Sequence, residues 1–237
     1  MKNLFFISVA LLALAGCGGA DAGPAINDGT AKYTVGDYKG ALADYEKAIS
    51  IDPNNAGGFS GKAMTETEMG DYENAVKDWE AYIQLKPDAS VAYWSMGDIK
   101  LMHLNDSKSA LADFNKAIEL DANNAGNYVS RAQAKMNLED LKGALEDCNK
   151  SVSLNDSKTT ASALQIRGIV KSKMEDYAGA IEDFQVVIAT NPHSGDAYLC
   201  MGIAKIQLSD ESACEDLIKA RDLGTDNAAE LLSQYCH

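Results

Sequence analysis

The sequence predicts an all-α fold, an α-solenoid of about six helix–turn–helix units closed by a C-terminal capping helix. Three observations predict it. A nine-residue phrase, first seen as Ala41 to Ile49, returns in variants that begin at Ala75, Ala110, Ala144, Ala180 and Ala213, at spacings of 34, 35, 34, 36 and 33 residues. Self-similarity at such a period marks stacked supersecondary units, none of which buries its apolar face alone. Turn phrases such as Gly36-Asp37-Tyr38, Gly70-Asp71-Tyr72 and Glu175-Asp176-Tyr177 precede the alanines. Pro53, Pro87 and Pro192 follow three of the phrases, where proline stops a helix; Ala122 and Asp156 stand where the other prolines would be.

The columns of the repeat have physical reasons. The alanines that open each phrase are expected where two helices cross closely. Gly29, Ala63, Gly97, Ala132, Gly168 and Gly202 are expected to do the same on the first helix of each pair. Four residues before five of these stands a bulky residue, Phe59, Tyr93, Tyr128, Leu164 or Tyr198, on the same helix face. Tyr45, Trp79, Phe114, Phe184 and Leu217 fill the space beside the alanines, and Cys148 takes that place in the fourth unit as a buried free thiol. Ala25 and Asp28 replace apolar residues in the first unit, which is expected to fray. These columns and their period resemble the tetratricopeptide repeat over about Ala25 to Leu223. The resemblance implies antiparallel helix pairs whose first helices line a concave, protein-binding face.

The ends read differently. Lys2 precedes a short apolar run, Leu4 to Leu14, and then comes Leu14-Ala15-Gly16-Cys17. A run of about ten apolar residues is too short to span a bilayer and reads as the core of a signal peptide. The tetrapeptide resembles a bacterial lipobox, which implies lipid attachment at Cys17; the alternative is an ordinary secretory signal with a chance cysteine. The expected division is a signal peptide over 1–16, an acylated cysteine and Gly-rich tether over 17–24, repeats over 25–224 and a cap over 225–237. In the lipoproteins it resembles, aspartate after the cysteine favours retention in the inner membrane. Gly18 here implies an outer-membrane protein facing the periplasm of the bacterial envelope.

The chain carries 21 basic and 35 acidic residues, a net charge of −14. Loss of Lys2 leaves −15, which argues against nucleic acid and anionic lipid as partners. Catalytic fingerprints are missing: there is no G-x-S-x-G, H-E-x-x-H, P-loop or dinucleotide motif. The three histidines, His103, His193 and His237, fall in different units. No enzyme activity, metal or cofactor is expected. An aspartate column (Asp44, Asp78, Asp113, Asp147, Asp183, Asp216) is followed three residues on by Lys47, Lys116, Lys150 and Lys219 in four units, the spacing of helix-stabilising pairs. A lysine column on the first helices (Lys32, Lys100, Lys135, Lys171, Lys205), broken by Glu66, is placed to ladder between repeats.

Spacing puts Met64, Trp94, Leu101, Val129, Met136, Ile169, Leu199, Ile203 and Ile206 on the inner face of the first helices. Asp98 is the one charge among the fifteen inward positions. The modules of this family that bind chaperone tails use lysine, arginine and asparagine there, and those residues are missing. The face suits an apolar peptide or an amphipathic helix; equally, such a stripe packs between neighbouring helices. The expected function is a membrane-anchored scaffold that binds a protein or peptide partner; the alternative is a holdase-like chaperone or assembly factor for exported envelope proteins. Finally, Cys214 and Cys236 lie about ten and eleven residues either side of the turn near Gly224, which sets them side by side in an antiparallel pair. In an oxidising compartment they are expected to form a disulfide, the alternative being two independent thiols.

Overall fold

The computed structural model describes residues 21–236. Among these residues there are thirteen helices and no strand. Six pairs follow one another: α1 (Gly23–Thr34) with α2 (Tyr38–Ile51), α3 (Ala56–Met69) with α4 (Tyr72–Leu85), α5 (Ser90–Met102) with α6 (Ser107–Leu120), α7 (Ala125–Asn137) with α8 (Leu141–Ser153), α9 (Thr160–Lys173) with α10 (Tyr177–Thr190), and α11 (Gly195–Gln207) with α12 (Ala213–Asp222). A last helix, α13 (Ala228–Tyr235), packs on α12. Each helix contacts its partner and the next pair, which is the quasi-one-dimensional packing of a solenoid.

The second helix of most pairs starts at an aspartate whose side chain accepts a backbone N–H three residues on: Asp37 from Gly40, Asp106 from Ser109, Asp140 from Gly143 and Asp176 from Gly179. These carboxylates satisfy donors that the first helical turn leaves free. The residue before the aspartate that leads into each second helix adopts positive φ. It is glycine in the first two pairs, Gly36 and Gly70 at +79°, but Asn105, Glu139, Glu175 and Ser209 in the rest, at +52° to +65°. Second helices also end on schedule without proline. Asp121 accepts the Asn123 N–H, as Asp52 does that of Asn54 beside Pro53, so a side-chain turn stops α6 where α2 stops.

The columns meet at the pair interfaces. Ala41, Ala75, Ala110, Ala144 and Ala180 are fully buried. A methyl added at Gly97 would stand 2.8 Å from the Phe114 ring, and one at Gly168 2.6 Å from that of Phe184. In the fourth pair the small Cys148 stands opposite and alanine is accepted at position 132. Burial pushes the Cys148 thiol up to about 12, so it packs as an apolar residue.

Two expectations change. The tether is shorter than expected: Ala22 is buried, and Gly23 and Pro24 lie in α1, proline being tolerated in a first helical turn. The first unit is a formed pair, with Ala25 and Gly29 buried against α2. The signal segment and Cys17 lie outside the described residues, as does His237. No described helix is long and apolar enough to cross a membrane. At the other end Cys214 and Cys236 are bonded, with Cα atoms 5.8 Å apart, which fastens α13 to α12.

Candidate protein-binding groove

The charged columns come first, because they leave the inner face free. Each column aspartate takes a cation from the first helix of its own pair: Lys32 with Asp44 at 2.6 Å, Lys62 with Asp78 at 3.0 Å, Lys100 with Asp113 at 2.7 Å, Lys135 with Asp147 at 2.8 Å, Lys171 with Asp183 at 2.9 Å and Lys205 with Asp216 at 2.6 Å. The lysines three residues after the aspartates are not the partners; Lys116 turns to Glu119. The two columns therefore lock helix to helix inside each pair and do not ladder between repeats. The link between repeats comes from residues the sequence reading passed over. Arg131 donates through Nε and Nη2 to Asp147 and through Nη1 to Asn115 of the preceding pair. Arg167 repeats this with Asp183 and Asn149. A planar fork with a spare donor suits such bridging.

Pair two breaks the pattern. Glu66 occupies the lysine position and is buried beside Asp78, with Lys62 3.5 Å from its Oε1. Burial and the neighbouring Asp78 carboxylate push Glu66 up to about 7, against the pull of Lys62.

First helices of adjacent pairs touch one another along the stack, so they line its inner side. Of these neighbours α3 and α5 pack least closely, and a hollow of about 160 Å³ opens between them. Met64, 44% exposed, and Trp94 line it with Tyr33, Glu68 and Asp98, over a floor that includes Trp79. The Trp94 indole N–H donates to Ser130 Oγ of α7 at 2.9 Å, which fixes its ring. A second hollow, of about 470 Å³, includes Val129, Gln133 and Gln165. A third, of about 350 Å³, is lined by Ile169, Tyr177, Cys200 and Ile203, the last 38% exposed.

Other predicted groove residues fall elsewhere. Leu101 is buried, at 5% exposure, in a cluster with Ala110, Phe114 and Ala134, and is core. Met136 packs half-buried on the cluster around Cys148. Leu199 is half-buried and lines none of these hollows. Ile206 faces a separate hollow at the cap, beside Cys214 and Tyr235. Tyr33 and Glu68 were missed; Tyr33 lies on the unit expected to fray. Among the described residues no three histidine, cysteine, aspartate or glutamate side chains gather as a metal site.

A tetratricopeptide-repeat family model matches residues 29–55 and 90–124, the first and third pairs. Over those residues the chain matches the tetratricopeptide repeat. Solved structures share this fold across nearly all of it. YrrB, described as a tetratricopeptide-repeat protein with an unusual peptide-binding site, superposes with a TM-score of 0.65 at 22% identity over 80% of this chain and 97% of its own. PilW, described as a type IV pilus biogenesis factor, gives a TM-score of 0.76 at 16% identity over 89% of this chain and 98% of its own. A chain of the Cut9–Hcn1 hetero-tetramer of the APC/C gives 0.75 at 15% identity over 92% of this chain; the present chain spans 43% of its length. At these identities the likeness is one of fold. No curated protein matches the sequence.

Proposed function

We propose that this tetratricopeptide-repeat protein is a membrane-anchored scaffold that holds a protein segment along its inner face. One observation carries the reading: the repeat's ion pairs are closed within the stack, while Met64, Trp94, Ile169 and Ile203 remain on the inner face around hollows between consecutive pairs. Side chains of a bound peptide or amphipathic helix would enter such hollows at intervals set by the repeat. A thioether and an indole adapt to apolar partners. The anchor is the lipid proposed on Cys17, which places the scaffold in the bacterial envelope, on the outer membrane facing the periplasm. The short link between Cys17 and α1 keeps the stack close to that membrane.

Two measurements test this. Cys17→Ser is expected to abolish acylation and move the protein to the soluble fraction; a variant still sedimenting with membranes contradicts the anchor. Met64→Lys with Ile203→Lys is expected to keep the helical signal and melting temperature while reducing crosslinked partner on the membrane. Unchanged partner yield contradicts the groove. A crosslinked product made of many unrelated unfolded chains would favour a holdase over a scaffold.

A further inference from the structure

We infer that the hollow between α3 and α5 is a subsite for one basic side chain, an arginine of the bound peptide. The inference rests on the groove reading above and names the chemistry of one of its positions. At about 160 Å³ the hollow is below the about 300–1,000 Å³ of a site for a whole drug-sized ligand, so it holds a side chain. Its walls are aromatic, with Tyr33 on one side and Trp94 on the other, and its two charges are both negative, Glu68 and Asp98. Faces of electron-rich rings beside carboxylates attract a planar cation, and a guanidinium both stacks and donates in a fork.

Among the described residues no lysine or arginine pairs with either carboxylate. Nearby lysines are already engaged, Lys62 with Asp78, Lys100 with Asp113 and Lys32 with Asp44. Neither Glu68 nor Asp98 is in an ion pair among the described residues; Glu68 accepts only a long hydrogen bond from the Tyr33 hydroxyl, at 3.4 Å. The base that faces Asp98 is His103, and its ring is stacked on Tyr72 at 3.9 Å. Burial pushes the Asp98 carboxyl upward, as for a carboxylate short of a cation. The site is also held ready: Ser130 fixes the Trp94 ring. An incoming guanidinium supplies the missing charge without displacing an existing pair.

The chain has two tryptophans, Trp79 and Trp94, and both line this hollow, so intrinsic fluorescence reports on it directly. The full mature protein is titrated with a blocked pentapeptide carrying one central arginine among alanines, and with versions carrying citrulline or norleucine. The arginine peptide is expected to give a saturable change with a Kd at least about tenfold below that for citrulline, a neutral isostere. Asp98→Asn is expected to shrink that ratio to about threefold or less at unchanged melting temperature, and Asp98→Glu to restore part of it. Equal binding of arginine and citrulline, tighter binding of norleucine, or no saturable change with arginine overturns the subsite. Partner crosslinking that survives alongside any of those results leaves the scaffold standing. Loss of all crosslinking from the inner face overturns the scaffold itself.

Discussion

In repeat five, Asp183 is gripped by Arg167 and Lys171 together, and Arg167 reaches on to Asn149 of the repeat before. In repeat two the equivalent Asp78 has Lys62 alone, and Glu66 stands where Lys171 would be. The helices are the same length in both, fourteen residues, and cross on the same alanine column. The difference teaches that the stack tolerates a missing weld. Where the weld is doubled, Arg167 also ties the repeat to the one before; where it is lost, Lys62 still holds the pair, and hollows open on the inner face beside both repeats.

The sharpest way to break that contrast is to remove the aspartate in each repeat. Asp183→Ala leaves two part-buried cations without their partner and is expected to cost about 3–5 kcal/mol. Asp78→Ala leaves Glu66 to receive Lys62 and is expected to cost less than half as much. Urea denaturation of the two variants checks this, and equal losses would mean that the double weld adds nothing. Next in size is the cap. Reducing the Cys214–Cys236 bond, or Cys214→Ser, is expected to cost about 3 kcal/mol in the chain-entropy account. Hydrogen exchange should place the loss in α12 and α13 and leave repeat five protected.

A smaller effect separates the repeats by pH. Glu66 is raised in the folded protein from an ordinary 4.5 to about 7, so the folded state binds this proton more tightly than the unfolded chain. The cost is absent below about 4.5 and complete above about 7, and stability falls between them. Glu66→Gln is therefore expected to gain on the wild type as pH rises through that window, by on the order of 1 kcal/mol after allowance for solvent screening. Melting curves at pH 4.5 and 7.5 measure it; a gap that does not widen with pH contradicts the assignment. The smallest effect is at the turns. Glu175 sits at φ +65°, where a side chain costs about 1–2 kcal/mol. Glu175→Gly is expected to recover about 0.5–1 kcal/mol, since glycine also gives up more freedom on folding. Gly36→Ala should lose a similar amount.

The period and the small–large columns made the solenoid legible, because each column is dictated by a contact that recurs at every pair interface. Geometry between helices was less legible. The aspartate and lysine columns were both visible, but intrahelical spacing pointed each aspartate at a lysine three residues on; the angle at which partner helices cross gives it to the first helix of the pair. Arg131 and Arg167 were invisible as bridges because their asparagine partners lie in the preceding repeat. On the inner face, Met64, Trp94 and Ile203 were found by spacing, while Leu101 was misplaced. Leu101 lies on the same side of α5 as Trp94, which packs against its cluster, but Ala134 of the next first helix covers it, and such cover cannot be read from spacing within one helix. Tyr33 was missed because sequence wear in the first repeat hid a formed helix.

Site-specific photocrosslinking from the membrane-bound protein tests the central claim most directly. A benzophenone side chain is placed at Met64 or Ile203 on the inner face, and at Val186 on α10 as an equally apolar control, 49% exposed. The account predicts one discrete protein adduct from both inner positions and none from Val186. Adducts from Val186 alone, or equally from all three, would contradict it.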